Sequence, residues 1–207
     1  MPEGLARPLP SPLLLITDRS QAKRPLVEIV EAALVGGCRR VSLREKDLSP
    51  DERMALVHQL LPVVRRFGGT LIVHADMDAA AHADGVHLPA GGNVAEARRR
   101  LGEKAGIGLS CHTVGDLKNA AGADYVTLGP FAETKSKPGY VPTLTPNDWR
   151  EATRLGVPVF ALGGIDETNV LAVKHAGAAG FAVMGSVMRS DEPATYVRRM
   201  LAMWENS

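Results

Sequence analysis

Cysteine is nearly missing from this chain of 207 residues, with only Cys38 and Cys111 present. They match neither a zinc spacing nor a disulfide framework, so two reduced thiols in a cytoplasmic protein are expected. An excess of charge of one sign is also lacking. The 24 Lys and Arg balance 23 Asp and Glu to a net charge of +1, which removes the global field that recruits nucleic acid or an anionic membrane. Any anion must then be bound locally. No long apolar run occurs: the stretch from Leu13 to Ile16 is too short for a signal or membrane-spanning helix, and Met1-Pro2-Glu3-Gly4 lacks a basic segment leading into an apolar one. Histidines and carboxylates form no recognisable metal cluster, and neither an internal repeat, a low-complexity tract nor a domain boundary is visible. No nucleic-acid or membrane partner is therefore expected, and no metal site.

What is present is the composition of an ordinary globular protein, 45% hydrophobic and 23% charged, enough to bury a sizeable core. Prolines at positions 2, 8, 10 and 12 mark an irregular lead-in over 1–12, because each fixes φ and lacks an amide donor. From residue 13 short apolar runs alternate with stretches of helical character. The runs at 13–17, 40–44, 70–74, 85–88, 106–110, 125–129, 158–163 and 180–184 read as eight strands. Between the first of them, Leu26, Ile29, Val30, Ala33 and Leu34 share one helical face, as do Met54, Val57, Leu60, Leu61 and Val64. Pro50 after Ser49 marks a helix start, and Asp166 and Ser190 stand where N-caps are expected. Such alternation gives a parallel sheet, either open and doubly wound or closed, and the count of eight favours a single small (β/α)8 barrel over 13–207.

In such a barrel, functional residues gather where strands end. Those positions hold Arg44 and Lys46 after the second strand, Ser110 and His112 at the fifth, Glu133, Thr134, Ser136 and Lys137 after the sixth, Gly163 and Gly164 after the seventh, and Gly185 and Ser186 after the eighth. Glycines after the last two strands suit a phosphate held by backbone amides, and equally suit plain turns. Arg44 and Lys46, two apart, form either one cationic patch or part of a structural ion pair. His112 is placed to act as an acid or base, or to serve the structure. His87, inside the fourth strand, reads as packing.

Several stretches in this order resemble one family. Leu14-Leu15-Ile16-Thr17-Asp18, Leu43-Arg44-Glu45-Lys46, Asp84-Gly85-Val86-His87-Leu88, Gly108-Leu109-Ser110-Cys111-His112, Ala123 to Pro130, and Ala161-Leu162-Gly163-Gly164-Ile165 resemble the thiamine phosphate synthase and thiazole tautomerase barrels. In the synthase, the resemblance implies, a pyrimidine diphosphate loses pyrophosphate with the help of Mg2+, and the nitrogen of a thiazole phosphate attacks the resulting cation. The family's acidic metal ligands after the third and fourth strands are matched here by His74-Ala75 and by Pro89 to Gly92.

That loss points to the tautomerase branch, an isomerase that needs no cofactor. It implies His112 as the proton carrier and a phosphorylated thiazole as the ligand. Arg44, Lys46, Ser110 and Glu133 then contact the substrate, and Thr134, Ser136, Lys137, Gly163, Gly164, Gly185 and Ser186 hold its phosphate. The synthase is the alternative reading, and a non-catalytic barrel that binds a phosphorylated ligand is the second. A homo-oligomer is compatible with apolar residues on the outer helices.

Overall fold

The computed structural model describes residues 11–134 and 144–206; most of the expected lead-in lies outside them. Eight strands follow in order: β1 (Leu13–Ile16), β2 (Arg40–Leu43), β3 (Thr70–His74), β4 (Gly85–Leu88), β5 (Gly106–Cys111), β6 (Tyr125–Leu128), β7 (Val159–Leu162) and β8 (Gly180–Val183). Each pairs in parallel with its neighbour in sequence, and β8 closes on β1 in the register Leu13↔Phe181 and Leu15↔Val183. The result is the closed (β/α)8 barrel expected from the count. The outer ring contains α1 (Leu26–Val35), α2 (Pro50–Arg66), α3 (Met77–Ala80), α4 (Val94–Leu101), α5 (Val114–Leu117), α6 (Pro146–Ala152), α7 (Val170–His175), α8 (Gly185–Met188) and α9 (Pro193–Glu205).

Period-two alternation in the strands divides the core into two layers. Leu13, Leu15, Val41, Leu43, Leu71 and Val73 face outward and pack with Ile29, Val30, Val57 and Leu60 of the helices. Leu14, Ile16, Tyr125, Phe160 and Ala182 form a separate cluster inside the barrel. Two rings of that size leave little room around them. A Cβ at Gly108 would lie 2.4 Å from both the His87 Nδ1 and the Tyr125 Cζ atoms, so only glycine fits there. At the N-terminal end of the barrel the guanidinium of Arg40, 4% exposed, sits 4.3 Å from the centre of the Tyr125 ring and 4.5 Å from that of Phe160.

The helix starts bear out one cap and correct two. Ser49 and Glu52 close a reciprocal capping box on α2, with Pro50 just inside. Asp166 does not cap α7, which begins after Asn169. Its carboxylate instead accepts the Thr168 amide at 2.8 Å, within the turn before the helix. Ser190 likewise accepts the Glu192 amide at 3.1 Å, and α9 starts after Glu192 with no side-chain cap. In both places the short polar side chain stabilises a turn one step ahead of the helix.

Candidate functional site

The C-terminal ends of the strands surround a cavity of about 540 Å³. Its β2 wall is fixed from behind. The Thr17 hydroxyl accepts the Arg44 amide at 2.9 Å, while the buried Glu45 carboxylate accepts the Arg19 amide at 3.0 Å. Glu45 thereby ties the loop after β1 to the loop after β2 and leaves Arg44 and Lys46 on the cavity side. Burial raises the Glu45 pKa, against hydrogen bonds from Thr17 and Arg19.

The opposite wall is made by the loops after β6 and β7. The amides of Phe131 and Ala132 donate to the carbonyls of Leu162 and Gly163 at 2.9 and 3.0 Å. This contact is so close that a Cβ on Gly164, whose φ is +63°, would come within 2.2 Å of the Glu133 carbonyl oxygen. Gly164 is thus demanded by loop packing, whatever it binds. Asn169 pins the same turn, donating to the Gly164 carbonyl at 2.8 Å.

The floor is a polar column. The His87 Nδ1 atom pairs with the Tyr125 hydroxyl at 3.0 Å, and Nε2 faces Ser110 Oγ at 3.0 Å and Thr127 Oγ1 at 3.3 Å. The His74 ring stacks on His87 with 5.5 Å between centroids. Burial lowers the His87 pKa to about 3, helped by His74 and Arg40. His74 falls to about 4 through burial and then the positive charges of Arg44, Lys46 and Arg53. Both rings are therefore neutral near pH 7, and burial holds the Tyr125 phenol up at about 12. Burial also raises the thiols, Cys38 to about 11 and Cys111 to about 12, so neither supplies a thiolate nucleophile.

Ten of the twelve residues singled out from sequence line this one cavity: Arg44, Lys46, Ser110, His112, Glu133, Thr134, Gly163, Gly164, Gly185 and Ser186. Ser136 and Lys137 lie outside the described residues. His112 stands at the rim, where its amide donates to Asp116 at 2.8 Å and its Nδ1 lies 3.3 Å from the Gly129 carbonyl. Sequence reasoning missed Asp18, Thr127 and Arg189, and treated His87 as packing although it also lines the cavity. The inward phase of β4 was the available signal for His87. Arg189 had none, because it follows α8 and reaches the mouth only through that helix's turn, where it hydrogen-bonds Gln21.

Among the described residues, no group of three or more His, Cys, Asp or Glu is arranged to hold a metal ion. Asp18, Glu133 and Asp166 line the cavity, and Asp166 accepts the Thr168 amide. Asp76, just past β3, caps α3 through the Ala79 amide at 2.9 Å and pairs with Arg53. Asp18 accepts from Ser20 and, at 2.6 Å, from Gln21.

The family described as thiamine monophosphate synthase (TMP-TENI) matches residues 13–187. A relative from Geobacter sulfurreducens is 41% identical, over 92% of this chain and 93% of its own length. The thiamine-phosphate synthase of Roseiflexus castenholzii is 37% identical, over 96% of this chain and 92% of its own. Among solved structures, the thiamine phosphate pyrophosphorylase of Pyrococcus furiosus superimposes with a TM-score of 0.84 at 26% identity, covering 94% of this chain and 95% of that one. These similarities correct the lean toward the tautomerase branch and an isomerase activity. That lean weighed two missing acidic positions above the rest of the chain, whose relatives are named for the synthase. By this match over most of its length, the chain belongs to the thiamine monophosphate synthase family.

Proposed function

We propose that this protein is a thiamine-phosphate synthase, a transferase joining a pyrimidine diphosphate to a thiazole phosphate with release of pyrophosphate. The observation that carries the reading is a single mouth that sets Arg44, Lys46 and Arg189 around the glycine turns at Gly163-Gly164 and Gly185-Ser186, in a chain whose relatives bear that name. In the reaction the bond between the pyrimidine methylene carbon and the diphosphate oxygen breaks, and its electron pair leaves with the oxygen. The thiazole nitrogen then forms the new bond to that carbon.

The cations orient the diphosphate by charge-assisted hydrogen bonds. The Ser110 and Thr127 hydroxyls, set by neutral His87, offer directional contacts for the pyrimidine. Thr134 and the turn at Gly163-Gly164, with Ser136 and Lys137, take the thiazole phosphate. His112 and Glu133 border the two sites. The family likeness also implies Mg2+ at the diphosphate, a hard cation that requires oxygen ligands. Asp18, Glu133 and Asp166 line the cavity, but no three His, Cys, Asp or Glu among the described residues are grouped to hold that ion, and the site does not fit it.

No described helix is long and apolar enough to cross a membrane, and we place the reaction in the cytoplasm. The test is direct: incubate purified protein with the pyrimidine diphosphate and the thiazole phosphate, with MgCl2 present, and follow thiamine phosphate by chromatography. Stoichiometric thiamine phosphate and pyrophosphate are expected. If neither product forms, the reading fails.

A further inference from the structure

The N-terminal end of the barrel, opposite the mouth, holds a second cavity of about 600 Å³. Arg40, Thr70, Gly106 and Tyr125, the first residues of β2, β3, β5 and β6, line it together with Asp84 and Asp124, which immediately precede β4 and β6. Much of the remaining wall is apolar, from Ile72, Ala80, Ala83, Leu101 and Ala105. The two carboxylates are matched from outside. Asp84 accepts the Leu71 amide at 2.8 Å and pairs with Arg65, and Asp124 accepts the Ile107 amide at 2.7 Å and pairs with Arg98. Neither of those arginines belongs to the lining. Lys104, also in the wall, has interactions of its own.

Arg40 is different. It is 4% exposed, and its Nη1 has no hydrogen-bond partner among the described residues. The Tyr125 and Phe160 rings offer the guanidinium their π faces, and the Tyr125 hydroxyl is spent on His87 Nδ1. Ring faces attract a cation but do not replace an oxygen acceptor for its N–H donors. A guanidinium stays charged at physiological pH, so holding it there costs stability that an apolar side chain in the same place would not. An oxyanion in the plane of the fork would answer the donors and the charge together.

We infer that this cavity is a binding site for a small monocarboxylate with an apolar body, its carboxylate on Arg40 and its body against Ile72, Ala83 and Leu101. The site is separate from the mouth and does not depend on the synthase reading. One buried cation calls for one negative charge. A phosphate dianion would bring a second charge close to Asp84 and Asp124, among apolar side chains that cannot neutralise it. The alanines keep the wall short and leave room for hydrocarbon, whose transfer from water adds to affinity.

The probe is sodium octanoate, titrated calorimetrically into the protein, with octan-1-ol as its uncharged counterpart and inorganic phosphate as an anion without an apolar body. One octanoate per chain is expected, with both controls weaker by about tenfold or more. Arg40→Met should weaken octanoate binding by about tenfold or more, the loss of a charge-assisted contact, whereas Arg44→Met at the mouth should leave it unchanged. Ala105→Phe, which narrows the cavity and keeps the guanidinium, should weaken it too, and decides the matter if a thermal melt shows Arg40→Met unfolded. No octanoate binding, affinity unchanged in Arg40→Met or in Ala105→Phe, or affinity lost in Arg44→Met overturns the inference. Phosphate or octan-1-ol binding as tightly as octanoate overturns it as well.

Discussion

Arg40 opens β2 and Arg44 follows its end four residues later, in the same phase, yet they live in opposite chemistries. Arg40 is shut into the N-terminal end of the barrel between two aromatic rings, its Nη1 buried without a hydrogen-bond partner among the described residues. Arg44 lies at the open mouth, with its amide fixed and its head on the cavity. The first cation is held by packing, and the second faces the cavity of the mouth. Residue type and strand phase are the same for both, so position along the barrel axis is what decides.

Arg44→Met should break this contrast most visibly. Losing a charge-assisted contact to phosphate is worth about 2 kcal/mol, so kcat/KM for the pyrimidine diphosphate should fall roughly thirty-fold while the melting temperature stays put. A steady-state comparison alongside a thermal melt checks both halves, and unchanged kinetics would move Arg44 out of the binding site.

The pH response of stability sharpens the contrast from the side of the mouth. His74 and His87 are held neutral in the folded protein, at about 4 and about 3, whereas in the unfolded chain they titrate near the ordinary value of about 6.5. The unfolded state therefore binds more protons below that value. Their contribution is fully present above about pH 6.5 and is lost as pH falls toward the folded values, by at most about 1.4 kcal/mol per pH unit for each ring. Urea melts from pH 7 to pH 4.5 should show falling stability, with a shallower slope in His74→Asn. An identical slope in that variant would contradict the depressed pKa.

The smallest effect belongs to Arg40→Met. Exchanging a buried cation, whose Nη1 has no hydrogen-bond partner among the described residues, for an apolar side chain of similar length relieves its desolvation and gives up its ring contacts. A gain of about 1 kcal/mol is expected, or roughly 2–4 °C in melting temperature, with kcat/KM unchanged. A clear loss of activity would show that the two ends of the barrel are coupled.

Much of this arrangement was legible beforehand. All eight strands fall within a residue or two of their apolar runs, because a strand buried on both faces has little choice but to be apolar. The residues just past the strand ends were legible too, since barrel geometry alone sends them to one mouth. Asp166 and Ser190 were misread as caps because a short polar side chain looks the same whether it precedes a turn or a helix. Arg189 was invisible because no strand carries it, and Gly164 was legible as a turn glycine but not for its packing, which comes from a loop about thirty residues earlier in sequence. The branch of the family was misjudged for another reason: two missing acids record a local chemical change, whereas relatedness is written over the whole barrel.

The Tyr125 phenol keeps its proton at any physiological pH, and among the described residues its only acceptor is the His87 Nδ1 atom. That hydrogen bond selects the tautomer with hydrogen on Nε2, which then donates toward Ser110 Oγ. Ser110 is left as an acceptor on that side, and its own hydrogen is free to turn toward the cavity it lines. A phenol buried deep in the barrel thus sets the direction in which a hydroxyl at the mouth presents its proton to whatever binds there.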